Sequence, residues 1–239
     1  RSLSEEFRRL TADMAARIEA EPSSANRICH QVLGRWRELL HGRRPALGPE
    51  ALTGLFGELH ALHQVVERDP ARRIELWTGP TGAPHDLTTP SAELEVKATR
   101  RREGRFVEIH GLDQLQPPED GTLHLLYLRV EERDQGRTVS DLVESLRSLG
   151  VDSSRLDQLL DQSGWSEDEP DDDRLAIVEE RMYLVDDSFP KIVPQSFVGG
   201  APPDGVMQLR YTVDLTGPVP RCLQTRDHEF VLQRLASIP

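Results

Sequence analysis

The apolar positions along the chain change period as it proceeds. In Glu5–Ile18 they fall at Phe7, Leu10, Met14 and Ile18, the three-to-four spacing of a helical stripe. After the Pro22-Ser-Ser turn, Ile28, Val32, Leu33, Trp36, Leu39 and Leu40 recur at the same spacing. Two prolines and two glycines then mark Gly42–Pro49 as a loop. A third helix runs over Glu50–Arg68, with Leu52, Leu55, Phe56, Leu59, Leu62 and Val66 as its apolar face. Glu58 lies one turn from both Leu55 and Leu62, so its carboxylate points toward the margin of the core.

From Arg73 onward the period shortens. Ile74–Trp77 reads as a short strand, Gly79–Pro84 as a turn-rich loop, and His85-Asp86-Leu87 as the start of an extended piece. Ala92–Thr99 alternates: Leu94, Val96 and Ala98 face one way, and Glu93, Glu95, Lys97 and Thr99 the other. Phe106–His110 is expected to pair back onto that strand across the basic turn Arg100–Arg105. Gly111–Gln116 is expected to be a short helix. Leu123–Val130 is the most apolar run and is expected at the centre of a sheet. Helices follow over Val139–Leu149 and Ser153–Ser163, strands near Leu175–Val185 and Val206–Leu215, and a last helix near His228–Ala236. The sum is an α/β chain: a helical segment over 1–48, a mixed-sheet core over 49–150, and an α+β elaboration over 151–239 packed on that core.

Composition narrows the options. The formal net charge of −12 argues against a protein that binds nucleic acid over its whole surface, though not against a local basic face. Of 29 basic residues only Lys97 and Lys191 are lysines. A lysine is a point charge on a flexible stem that reaches a single oxygen, whereas arginine is a planar fork, so Lys97 invites a specific role. Cys29 and Cys222 make neither a disulfide framework nor a cysteine zinc site. No apolar run has the length of a membrane span, and Arg1–Phe7 has no apolar signal region. The expected setting is the cytoplasm. The absence of an initiator Met reads as a truncated or processed start.

Glu95 and Lys97, two apart on one strand, project from the same face. That arrangement suits phosphodiester hydrolysis: a carboxylate holds a hard divalent cation while the ammonium contacts the attacking water or the phosphate. Asp86, a short loop earlier, can fold back as a second carboxylate. The Val96 carbonyl is a further candidate ligand oxygen, and Glu58 another ligand or a support. Acid and Glu-x-Lys patterns also occur on solvated sheet faces as surface ion pairs.

The runs Gly54-Leu-Phe-Gly-Glu-Leu, Trp77-Thr-Gly-Pro with Gly82, His85-Asp86-Leu and Leu94-Glu-Val-Lys-Ala-Thr together resemble the bacterial PD-(D/E)XK motif protein family, catalogued as a domain of unknown function. The likeness continues through Ile109-His-Gly-Leu-Asp-Gln-Leu and Leu126-Tyr-Leu, and weakly through Phe189-Pro-Lys-Ile. It implies a restriction-endonuclease-like fold and a Mg²⁺- or Mn²⁺-dependent nuclease associated with anti-phage defence. By resemblance the catalytic roles fall to Asp86, Glu95 and Lys97, with Glu58 as the helix acid and Gln114 as a support after the strands. Members usually carry an extra N-terminal segment.

Arg100, Arg101, Arg102 and Arg105 follow the Glu95–Lys97 strand, either as a solvated turn or as a DNA-contacting edge. His60 and His63, and His30 beside Cys29, lack the further ligands a zinc site needs. His85 orients Asp86, contacts phosphate, or is a turn residue. The Ser166–Asp173 run is a solvated acidic loop, with a docking patch or acidic flap as alternatives. Two functional readings stand. One is a DNA endonuclease working with ATPase- or helicase-type subunits of a defence system, with homodimer formation left open. The other is a non-catalytic adaptor that uses the same fold to bind DNA or a partner. Metal-dependent cleavage separates them.

Overall fold

The computed structural model describes residues 47–167, 173–218 and 220–237 and, before them, residues 8, 11, 12, 14–16, 18, 19 and 32. The chain divides into two compact units, Arg1–Ala46 and Leu47–Pro239. In the first unit the described residues are all helical; the rest of the expected helices over Glu5–Ile18 and Ile28–Leu40 lies outside the described residues. So does the middle of the acidic Ser166–Asp173 run.

The second unit begins with helix α1, Pro49–Arg68. Proline suits its first turn because the ring presets φ and the missing N–H has no partner inside the helix. Short strand β1 is Leu87–Thr88, β2 is Ala92–Thr99, β3 is Phe106–His110, and the long β4 is Thr122–Arg137. Helices α2 (Val139–Ser148) and α3 (Ser153–Ser163) precede β5 (Leu175–Leu184). Strand β6 (Arg210–Asp214) and helix α4 (Thr225–Ala236) follow. Thr138 opens α2 with a reciprocal cap, its hydroxyl accepting from the Asp141 N–H while the Asp141 carboxylate accepts from the Thr138 N–H.

The main sheet has the order β1-β2-β4-β5, with β2 and β4 parallel and the outer pairs antiparallel. Strand β4 is interior, as its apolar run implies. A second, two-stranded sheet pairs β3 with β6. Three expectations are corrected here. Phe106–His110 does not pair back onto β2, because the remaining edge of β2 is taken by β4 in parallel register, Glu95 opposite Leu125 and Lys97 opposite Tyr127. Parallel neighbours need a crossover, and β3 is part of it, so it leaves the sheet and pairs with a distant segment. Ile74–Trp77 is a turn whose sole ladder contact is the bridge of Trp77 to Leu87. Residues 111–115 form turns rather than a helix.

The sheet buries both faces. On one, Leu94, Val96, Leu126 and Leu128 pack with the apolar stripe of α1 and with α2, α3 and α4. Gly57 permits the close approach of α1: a Cβ there would lie 2.7 Å from that of Ala98. On the other face, Leu125, Tyr127 and Tyr183 pack beneath Val107, Ile109 and Val213 of the β3–β6 ribbon. The far end of α1 is fastened by a two-bond fork from Arg68 to Glu229 on α4, at 2.9 and 2.7 Å, and its middle by His60 against Glu180 of β5 at 3.1 Å. No helix among the described residues is long and apolar enough to cross a membrane.

Candidate active site

The site follows from how soon β1 ends. Its two residues pair Leu87 with Leu94 and Thr88 with Glu93, so from Glu95 onward that edge of β2 has no neighbouring strand. The Asp86 side chain fills the gap: its Oδ2 accepts the Val96 N–H at 2.8 Å. In an extended strand the N–H and C=O of one residue point to the same side. The Val96 carbonyl therefore also faces the Asp86 edge.

Glu95 and Lys97 leave the opposite side of β2 from Val96. Glu95 is 2% exposed, and its Oε1 pairs with Lys97 Nζ at 2.8 Å. Its Oε2 is buried without a hydrogen-bond partner. Lys97 Nζ also donates to Gln114 Oε1 at 3.2 Å, and the same oxygen accepts the His110 N–H at 2.8 Å. Gln114 thus ties the lysine to the end of β3.

Glu58 reaches the same place from α1, where Trp77 Nε1–H donates to its Oε2 at 2.9 Å. Gly79 makes room for the acids. A Cβ there would lie 2.8 Å from Asp86 Oδ1 and 3.1 Å from Glu58 Oε2, so these two oxygens are within about 6 Å of each other. Three carboxylates share this region with one ammonium, and all three titrate above the ordinary range. Burial and then the nearby Asp86 charge push Glu58 up to about 8, against the opposing pull of Trp77 and Lys97. Burial raises Asp86, opposed by the Val96 N–H, Lys97 and His85. Glu95 is raised well above its usual value by burial, then by Asp86, with Lys97 opposing. A bound cation would reverse that imbalance.

The donors fit Mg²⁺ or Mn²⁺. They are hard oxygens, Glu95 Oε2 is orphaned, and Asp86 Oδ1 faces the bare Cα of Gly79. Among the described residues no three His, Cys, Asp or Glu side chains already converge on one ion. Ions of this class commonly take one or two carboxylates and complete their shell with water and phosphate.

The sequence-derived residues Asp86, Glu95, Val96, Lys97, Glu58 and Gln114 all line one cleft of about 550 Å³. Its floor is β2, one wall the first turns of α1, and the other the β3–β6 ribbon, from Phe106, Val107, Glu108, His110 and Thr212. The arginines divide. Arg100 lines the cleft but its guanidinium is held by Thr53, Glu132 and Asp173 at 2.6–2.8 Å. Arg101 is exposed at the cleft with its guanidinium over the Phe106 ring, 5.4 Å from the centroid. Arg102 is exposed, and its carbonyl accepts from Arg129. Arg105 pairs with Glu179 at 2.7 Å. His85 is buried against Glu93, at 2.7 Å, rather than turned into the cleft. Trp77 and Gly79 are the supports that sequence reasoning missed; their place in the Trp77-Thr-Gly-Pro run was the available signal.

A mixed sheet flanked by helices, carrying Asp86 and Glu95-x-Lys97 at the free edge of its second strand, defines an α/β protein of the restriction-endonuclease-like class. The chain belongs to the family described as "Putative PD-(D/E)XK family member, (DUF4420)", whose model matches residues 1–216. No curated protein and no solved structure matches it.

Proposed function

We propose that this protein is a Mg²⁺- or Mn²⁺-dependent DNA endonuclease, the cleaving subunit of a bacterial anti-phage defence system. The observation that carries the reading is the buried, unpartnered Glu95 Oε2 beside Lys97, with Asp86 locked onto the Val96 N–H on the same short stretch of β2.

Asp86, Glu95 and the Val96 carbonyl would hold the ion, with Glu58 as a further ligand or a support. When bound, the ion supplies a water of lowered pKa and offsets the charge that builds on phosphorus. Lys97, held by Glu95 and Gln114, would offer its ammonium to the attacking water or to a phosphate oxygen. Gln114 keeps that ammonium from collapsing wholly onto Glu95. Trp77 holds Glu58 toward the cleft. Arg101 and Arg102, both exposed, would meet the DNA backbone, while Arg100 and Arg105, tied to acidic partners, would shape the rim beside them.

The segments 1–48 and 151–239, flanking a nuclease core over 49–150, are the proposed contact surfaces for ATPase- or helicase-type subunits. The net charge of −12 supports protein contacts over broad nucleic-acid binding. The reading places the protein in the bacterial cytoplasm.

Supercoiled plasmid incubated with Mg²⁺ or Mn²⁺ tests it. Wild type cuts, EDTA stops the reaction, and Lys97→Ala and Asp86→Ala are inactive while keeping the wild-type circular dichroism spectrum. Cutting that survives in both variants places the chemistry elsewhere. Salt-dependent DNA binding with no metal-dependent cleavage favours the adaptor reading.

A further inference from the structure

The outer edge of β3 is an unpaired strand edge facing the catalytic floor. Its other edge is bonded to β6: the Arg105 carbonyl accepts the Leu215 N–H at 2.7 Å, and the Gly111 N–H donates to the Leu209 carbonyl at 2.8 Å. In an antiparallel pair such bonds fall on alternate residues. Residues 105, 107, 109 and 111 therefore bond toward β6, and Phe106, Glu108 and His110 turn their N–H and C=O groups the other way. His110 confirms the direction, since its N–H goes to Gln114, whose side chain also reaches Lys97 on the floor. The N–H groups of Phe106 and Glu108 point the same way, and no protein acceptor meets them among the described residues.

This edge and the start of α1 are the two walls of the slot above β2. The candidate groups lie deep in the slot, the Lys97 side chain 18% and the Glu95 side chain 2% exposed. Lys97 Nζ lies 3.2 Å from a side chain anchored to the β3 wall. A phosphodiester must enter between the walls to reach them. A duplex brings two backbones separated by grooves of roughly 6 and 12 Å, with the paired bases between them. The walls also carry Glu50 and Glu108, whose charge opposes any phosphate backbone, so the N–H contacts must outweigh it.

We infer that the slot binds one polynucleotide strand at a time, with the Phe106 and Glu108 N–H groups donating to its phosphate oxygens, so that the substrate is single-stranded DNA, a frayed end or a strand opened by negative supercoiling rather than a relaxed, intact duplex. The inference rests on the nuclease reading for the chemistry, but binding tests it without cleavage. Backbone N–H groups recognise the phosphate and not the base, so the contact is independent of sequence.

Two substitutions probe the slot without touching the proposed catalytic groups. Gly54 faces the cleft from α1 and has no atom within 4 Å of where its Cβ would stand, so Gly54→Phe fills the slot while sparing the core. Glu108→Pro removes one outward N–H and leaves the β6 bonds intact, since proline is tolerated at a strand position whose N–H is not in the ladder. Glu108→Ala is its partner control, deleting the carboxylate and keeping the N–H.

Fluorescence anisotropy of the whole chain, with Ca²⁺ replacing Mg²⁺, compares a labelled single-stranded oligodeoxynucleotide with the same sequence as a blunt duplex. The single strand binds at least tenfold tighter. Gly54→Phe abolishes that binding, and Glu108→Pro weakens it about tenfold, the loss of one charge-assisted hydrogen bond, while Glu108→Ala does not weaken it. Equal or tighter binding of the duplex overturns the inference, as does single-strand binding unchanged in both Gly54→Phe and Glu108→Pro, or no binding of either DNA. Single-strand binding without cleavage under Mg²⁺ or Mn²⁺ leaves the slot standing and removes the nuclease reading. Cleavage of duplex with no single-strand preference does the reverse.

Discussion

Asp86 accepts the backbone N–H of Val96 at 2.8 Å, so a carboxylate stands where the next residues of a neighbouring strand would otherwise bond. One interaction thereby closes a sheet edge and sets an acid beside Glu95 and Lys97. The two jobs separate by substitution. Asp86→Asn keeps an oxygen for the Val96 N–H and removes the charge; Asp86→Ala removes both. Both variants should lose plasmid cleavage by ~10²-fold or more, the scale of a lost electrostatic stabiliser. Only Asp86→Ala should also lower the urea midpoint, because it leaves a strand N–H unpaired. An Asp86→Asn variant that cuts at the wild-type rate would show that the Asp86 charge is not needed at the site.

Gln114 serves Lys97 and the His110 N–H with one oxygen. Gln114→Ala should slow turnover by ~10–100-fold, as for other groups that orient a catalytic side chain. Gln114→Glu, which keeps the acceptor, should recover part of the rate. Steady-state kinetics on an oligonucleotide substrate reads both. Equal rates for the alanine variant and the wild type would remove Gln114 from the machinery.

Gly57 lets α1 rest on β2, and a methyl group there would meet Ala98 at 2.7 Å. Gly57→Ala should therefore destabilise the protein by ~1–3 kcal/mol despite alanine's better helix propensity. Adding Ala98→Gly should return part of the loss, and urea denaturation of the four proteins gives the coupling. Independent, additive effects would mean that the contact does not set the spacing.

His124 on β4 is buried, with Nδ1 unpartnered, and burial followed by the Arg234 charge lowers its pKa from 6.5 to about 4. Between those values the unfolded chain binds a proton that the folded one refuses, so stability falls as pH drops from 6.5 toward 4. The expected contribution is a loss of about 2 kcal/mol between pH 7 and pH 5. Urea unfolding at the two pH values should show it as a difference between wild type and His124→Leu, whose own dependence lacks that share. Parallel curves for the two proteins would refute the assignment.

The elements nearest the candidate site were readable because their signals are local. Strict alternation over Ala92–Thr99 puts Glu95 and Lys97 on one face whatever lies beside them, and the strand spans those residues. The stripe after Pro49 likewise places Glu58 at the flank of a helix. Periodicity shows which face a residue occupies, not what meets it. The pairing of β3 with β6 joins Phe106 to Asp214 across more than a hundred residues, and β3 carries nothing local that selects that partner over β2. The fates of the arginines were hidden for the same reason: Arg100 ends on Glu132 and Asp173, and Arg105 on Glu179. Trp77 belongs to a turn, where no period marks it as the donor that holds Glu58.

The fork between Arg68 and Glu229 can be weighed as a matter of aim. As a partly solvated ion pair it adds little to stability. Yet Arg68 lies ten residues, about 15 Å, along a stiff rod from Glu58. A tilt of roughly 4° about that clamp would swing the carboxylate by about 1 Å, a displacement that can cost ~10²-fold in rate. Arg68→Ala should melt close to the wild type and still turn over more slowly. A bond on the far side of the molecule then works as a sight adjustment, and natural variation there would change speed while leaving the fold's endurance alone.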